Sequence, residues 1–266
     1  MVDIFSMAGR RCLVTGGSVS MGRAIALGFA AQGAAVAIHH SAAADAAFGL
    51  PNAAAETVAA IEALGVAGFA IEGDFLDPNA PPAIFRRAEA ALGGVDVLVL
   101  CASVQTRAPF EEIGPEQIER EVLINFAATV ALLQVAIPPM RARRWGRVLT
   151  VGSINQVRPE PQLATYAALK AAQANLAANL AVQCARDGVM VNNIAPGIVA
   201  TERNRWRRQD PAEWAEIQRR AAPTIGRAAL PQEVVGAAIL LCSDAASYIS
   251  GADLPITAAA HLPAAQ

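Results

Sequence analysis

Cysteine is sparse in this chain and nowhere paired. Cys12, Cys101, Cys184 and Cys242 stand far apart in apolar surroundings, where the side chain behaves as a small hydrophobe and no C-x-x-C spacing suggests a redox or zinc site. This usage fits a reducing compartment. Charge is also scarce. Charged residues make up 17% of the chain and the net charge is −2, so no field gathers a polyanion and nucleic acid is not an expected partner. Internal repeats and low-complexity linkers are missing. So are a leader-type apolar stretch behind the opening MVDIFSMAGRR and an apolar run long enough to span a bilayer. A cytoplasmic protein with no membrane partner is expected.

What is present is apolar bulk: 54% of 266 residues are hydrophobic, enough to cover both faces of a sheet in one α/β domain spanning 1–266. The low charge and abundant alanine also suit subunit contacts. Short β-branched or apolar runs at 10–15, 35–40, 67–72, 95–101, 147–152, 189–194 and 254–256 alternate with helical periodicity near 22–32, 53–64, 80–92, 116–144, 163–187 and 231–243. That alternation predicts a doubly wound parallel sheet of about seven strands with helices on both faces. Two segments break the rhythm, a long connection at 41–52 and an Arg/Trp-rich insertion at 202–226. Ligands of such sheets lie beyond the carboxyl ends of the strands, so the loops starting at 16, 41, 74, 102, 153 and 196 are expected to share a functional rim.

The first of these loops, Thr15-Gly16-Gly17-Ser18-Val19-Ser20-Met21-Gly22, runs from a strand straight into a helix. Such a turn can aim backbone N–H groups at a pyrophosphate, with glycine where φ is positive or the ligand approaches closely. Alone, it reads equally as a tight strand-to-helix joint. A second signal is Tyr166-Ala-Ala-Leu-Lys170. The i, i+4 spacing puts phenol and ammonium on one helical face, where the cation favours phenolate over a phenol of ordinary pKa about 10. Such a tyrosine exchanges protons with an alcohol or carbonyl, although the pair alone could equally be an ordinary exposed one. Ser153 lies thirteen residues upstream at a strand end, and Asn125 lies in the long helix before that strand.

Over nearly its whole length the chain resembles the short-chain dehydrogenase/reductase family, on the T-G-x-x-x-G-x-G turn and the set Asn125, Ser153, Tyr166 and Lys170. Ser20 departs from the pattern, standing where the family has its middle glycine. The resemblance implies a nicotinamide-dependent enzyme interconverting a secondary alcohol and a ketone, assembled as a homotetramer. Tyr166 would be the general acid and base, Ser153 would bond the substrate oxygen, Lys170 would tune Tyr166 and hold the nicotinamide ribose, and Asn125 would anchor a water leading from Lys170 to solvent. Cofactor contacts are implied for Gly16, Ser18, Ser20, Met21, Gly22, Ala102, Ser103, Pro196, Gly197, Ile198 and Thr201. Asp74 and the following Phe75 fall at the family's adenine contact, although Asp74 also reads as a loop-initiating residue. His40 and Ser41 occupy the place after the second strand where an acid would select the ribose 2′-hydroxyl. The absence of an acid there leans toward NADP, with NAD open.

Two further departures are Leu100-Cys101-Ala102-Ser103 for the family's Asn-Asn-Ala-Gly, and Ile256-Thr257-Ala258-Ala259 for Val-Asp-Gly-Gly. The 202–226 insertion falls where relatives carry a substrate lid. Arg203 and Trp206 there, with Asn155 beside Ser153, are candidate substrate contacts, the alternative being a solvated helix start and lid packing. Asn155 and Gln156 suggest a hydroxylated substrate such as a sugar or polyol. No metal site is expected, since adjacent His39 and His40 point to opposite strand faces. Two other functions stay open, a catalytically inactive dinucleotide-binding regulatory or assembly module and a non-redox lyase or isomerase.

Overall fold

In a computed structural model, described here for residues 3–262, the four buried residues Val97–Leu100 form the middle strand of a seven-stranded parallel sheet. Its neighbours in the chain are β1 (Arg11–Thr15), β2 (Ala35–His40), β3 (Gly68–Glu72), β5 (Gly146–Val151), β6 (Val189–Pro196) and β7 (Asp253–Ile256), with Val97–Leu100 as β4. The order is β3-β2-β1-β4-β5-β6-β7 and every pairing is parallel. Continuous apolar runs such as VLVL suit strands covered on both faces. The order reverses between β1 and β4, so their carboxyl-end loops diverge and open a crevice.

The helices are α1 (Ser20–Ala31), α2 (Ala42–Ala47), α3 (Ala53–Glu62), α4 (Ala80–Leu92), α5 (Pro115–Glu121), α6 (Ala128–Ala142), α7 (Ala164–Cys184), α8 (Pro211–Ala221) and α9 (Val235–Cys242). One face of the sheet packs Phe85, Leu132, Ala136, Ala177 and Ala181 from α4, α6 and α7. The other packs Ile25, Phe29, Ile61, Ala238 and Leu241 from α1, α3 and α9. Small residues permit the closest approaches: a Cβ on Gly28 of α1 would run into Val235 of α9.

The expected strands all form, with ends shifted by one or two residues. The helices differ more. The segment 41–52 contains α2, started by Ser41, whose hydroxyl accepts from the Ala44 amide. The insertion 202–226 holds a 3₁₀ stretch, Glu202–Arg208, and then α8, which is capped by the Asp210 carboxylate on the amides of Ala212 and Glu213. The helix expected at 116–144 is interrupted by a π-helical stretch, Val122–Ala127. Joined through it, Pro115–Ala142 has the length and apolar content of a membrane span, against expectation. Its Leu132, Leu133, Ala136 and Met140 are buried in the core.

The two departures from the family motif are absorbed locally. The Thr15 hydroxyl oxygen accepts from the amides of Cys101 and Ala102 at 2.9 and 3.1 Å, bracing β4 from β1 where the family's asparagine is missing. Ala258 and Ala259 hold φ of 47° and 67°, keeping the left-handed turn that glycine adopts without strain.

Candidate active site

The crevice between the β1 and β4 loops is a cleft of about 350 Å³. Gly16, Ser18, Ser20, Met21 and Gly22 wall one side, with His40, Ser41, Asp74 and Phe75 beyond them and Ala102, Ser103, Tyr166, Lys170 and Thr201 opposite. A second hollow of about 730 Å³ lies behind the glycine turn, between α1 and α3, and it contains neither Tyr166 nor Lys170. Among the described residues no three His, Cys, Asp or Glu side chains converge as a metal set.

The glycine turn fits a bound pyrophosphate. Gly16 holds φ of +63°, and an added Cβ would stand 3.0 Å from the Ala102 backbone. A Cβ on Gly22 would land on the Gly16 carbonyl. No side chain caps the α1 N-terminus, so its first amides remain available to an anion at the positive end of the helix dipole. His39 supports the turn from behind. Its Nδ1 accepts from the Gly16 amide at 3.4 Å, its Nε2 donates to the Gly73 carbonyl at 3.1 Å, and its ring stacks on Phe75. Burial of this doubly engaged neutral ring lowers its pKa to about 4.

Ser20 is in the left-handed region with φ of 52°, the conformation that a middle glycine would adopt freely. Its hydroxyl oxygen accepts from the Glu202 amide at 3.0 Å. The same 3₁₀ stretch sends the Arg203 guanidinium to the Ser103 carbonyl and that of Arg205 to the Phe48 carbonyl. The insertion therefore lies across the cleft and is tied to three of its walls.

Lys170 is 1% exposed and donates to the Val151 carbonyl at 2.7 Å and to Gln173 Oε1 at 3.1 Å. Its Nζ lies 5.8 Å from the centre of the Tyr166 ring. Burial pushes the ammonium below the ordinary lysine pKa, with Tyr166 and Cys101 opposing the shift and Arg203 adding to it. Gln173 continues the chain of contacts, donating to Thr129 Oγ1, which in turn donates to the Asn125 carbonyl. Lys170 thus reaches Asn125 through protein groups. The Asn125 side chain is engaged elsewhere, accepting from the Val104 amide at 2.8 Å and donating to the Val104 carbonyl at 2.9 Å.

Several candidate residues do not wall the cleft. Ser153 sits just beyond its Gly152 edge and donates to Asn155 Oδ1 at 2.9 Å, so these two candidates engage each other. Pro196 pairs with β7, Gly197 donates to the Ile256 carbonyl and Ile198 accepts from Ala229, so sheet and bridge pairing occupies that backbone. Trp206 is 60% exposed, because the 3₁₀ stretch turns it outward, with Arg207 against its ring. Sequence reasoning missed Asp45. This buried carboxylate accepts from Ser18 Oγ at 2.8 Å and lies 3.2 Å from His40 Nδ1, supplying from α2 the acid lacking at the end of β2.

The chain belongs to the short-chain dehydrogenase family, whose model matches residues 10–212. It is 32% identical to 3beta-hydroxysteroid dehydrogenase 1 of Eggerthella lenta over 93% of this chain and 92% of that protein. It is 31% identical to L-rhamnose 1-dehydrogenase (NAD(P)(+)) of Sphingomonas sp. SKA58, over 93% and 94%. The crystal structure of a 3-oxoacyl (acyl-carrier-protein) reductase from Agrobacterium tumefaciens C58 with NADP bound matches with a TM-score of 0.89 and 41% identity. That match covers 96% of this chain and 95% of that one.

Proposed function

We propose that this protein is an NAD(P)-dependent oxidoreductase that interconverts a secondary alcohol and a ketone on a sugar- or polyol-like substrate. The carrying observation is that Tyr166 and Lys170 share one cleft with the glycine turn. The family membership, the NADP in the Agrobacterium structure and the rhamnose-oxidising relative support the reading.

Gly16, Ser18, Met21 and Gly22 would hold the pyrophosphate, and Lys170 the nicotinamide ribose. The bound nicotinamide supplies or accepts the hydride. Tyr166 Oη delivers a proton to the carbonyl oxygen in reduction and takes it from the hydroxyl in oxidation. Ser153 Oγ turns from Asn155 to donate to that same oxygen, fixing it beside the phenol. Lys170, confined between Val151 and Gln173, holds its ammonium 5.8 Å from the centre of the Tyr166 ring. The 202–226 insertion acts as the substrate lid, with Arg203 on its inner side. We further propose a cytoplasmic homotetramer, in keeping with the family resemblance; light scattering after gel filtration would give the mass.

The test is absorbance at the reduced-nicotinamide band with each cofactor and a panel of sugars, polyols and simple ketones. Tyr166→Phe should abolish turnover and leave the dinucleotide Kd within about twofold, because only the proton donor is removed. A fully active Tyr166→Phe protein sinks the assignment, and turnover confined to apolar ketones sinks the substrate class.

A further inference from the structure

Glu121, the last residue of α5, is 1% exposed and bonds two elements that meet at the cleft. Its Oε1 accepts from the Thr106 amide in the loop after β4, and its Oε2 accepts from the Thr165 hydroxyl at 2.6 Å. Both donors are neutral. A carboxylate buried among neutral partners is a costly group where an aliphatic side chain would pack, so the two bonds it makes matter more than the space it fills.

The bond to Thr165 acts on the start of α7. Leu163, at the N-cap, offers no side-chain acceptor, so Glu121 pins the first turn from outside, and a carboxylate there also suits the positive end of the helix dipole. Tyr166 is the next residue along. The bond to Thr106 acts on the facing wall. One turn beyond Glu121, Asn125 takes both backbone groups of Val104, so the two side chains clamp the 104–106 segment at two points. Val104 and Tyr166 both line the cleft, and Glu121 stands behind them. Nearer the surface the same walls are stitched again, by Arg107 to Glu160 and Gln162 at 2.9 and 3.1 Å and by the Ala108 amide to the Gln162 carbonyl. The tie through Glu121 is the buried one, and it ends beside the phenol-bearing residue.

We propose that Glu121 is a positioning residue for proton transfer: by joining Thr106 to Thr165 it fixes Tyr166 against Val104 and sets the gap into which the reacting carbon fits. The inference rests on the oxidoreductase reading above and adds to Ser153, Tyr166 and Lys170 a group that acts only through them. A displacement of about 1 Å in a reacting group can cost about a hundredfold in rate. A loosened α7 start therefore appears in kcat before it appears in dinucleotide binding.

The experiment compares the wild type with Thr165→Val, Thr165→Ser, Glu121→Gln and the double variant Glu121→Gln/Thr165→Val, on a substrate that the wild type turns over. Thr165→Val keeps the side-chain shape and removes the donor. Its kcat should fall about tenfold, with the dinucleotide Kd from calorimetry within about twofold. Thr165→Ser keeps the hydroxyl and should hold kcat within about twofold of the wild type. Glu121→Gln keeps one acceptor oxygen and should also lose about tenfold, and the double variant should lose about as much as Glu121→Gln alone, because both changes remove the same tie. Circular dichroism melting shows which variants are folded; if Glu121→Gln is not, the Thr165 pair decides. An unchanged kcat in Thr165→Val, an equal loss in Thr165→Ser, losses that multiply in the double variant, or a loss matched by weaker dinucleotide binding overturns the proposal and leaves the oxidoreductase reading standing. Absence of turnover by the wild type across the whole panel with both cofactors removes both.

Discussion

Gln173 Oε1 accepts from the Lys170 ammonium at 3.1 Å inside the protein, with both side chains 1% exposed. This makes Gln173 a positioning residue for the ammonium and the first link toward Thr129 and Asn125. Gln173→Leu keeps the volume but removes the acceptor, leaving a buried cation under-bonded. The expected result is a fall in kcat of about tenfold, an acid limb of the oxidation pH profile moved to higher pH, and a dinucleotide Kd within about twofold. An unchanged pH profile would show that Gln173 merely fills space.

Ser20 ties the 202–226 insertion to the glycine turn through Glu202. Ser20→Ala keeps the Cβ and the strained φ but loses the tie, so trypsin should cut near Arg203 and Arg205 several-fold faster, as expected when local opening becomes easier. Ser20→Gly loses the tie and the strain together. It should show the same proteolysis with unfolding free energy raised by up to about 1 kcal/mol. Equal cleavage rates in wild type and both variants would rule out the latch.

His39 gives the protein an acid-sensitive element. Its pKa is about 4 in the folded state against an ordinary 6.5, so between these values the unfolded chain binds the extra proton. Stability is therefore complete above about pH 6.5 and falls as pH drops toward 4, by on the order of 3 kcal/mol. Denaturant titrations of His39→Gln across this window should show a shallower loss than the wild type. Parallel pH curves would mean that the ring does not control the transition.

Ala259 holds a φ of 67° that costs an L-residue strain. Ala259→Gly should raise Tm by about 1–2 °C, about 0.5–1 kcal/mol after the added chain entropy of glycine is subtracted. A lower Tm would mean that the alanine methyl is packed favourably enough to outweigh the strain.

The strands were legible because parallel, doubly covered strands leave unbroken apolar runs, as in Leu98 and its neighbours. The glycine turn and the Tyr166–Lys170 spacing were legible because both are local in sequence. Two helices begin at local start signals, Ser41 and the Asp210-Pro211 pair, inside segments that stand out in the sequence only as a long connection and an Arg/Trp-rich insertion. Other features depend on distant partners. Asp45 was hidden because its importance arises only when α2 folds back onto Ser18, 27 residues upstream. Nothing in the residues of 122–127 announces a π-helix, and Gln173 gains meaning only through Thr129, 44 positions away.

The widened turn at Val122–Ala127 makes the register of Asn125 depend on chain length rather than on residue type. Deleting one residue there would let the segment relax into a regular α-helix and swing the amide by about 100°, the angular step of one residue. Val104, itself part of the cleft wall, would lose both hydrogen bonds, and its loop would lose its anchor although Tyr166, Lys170 and the glycine turn keep their own residues. Tolerance to substitution and intolerance to a one-residue gap is the signature to look for in this segment.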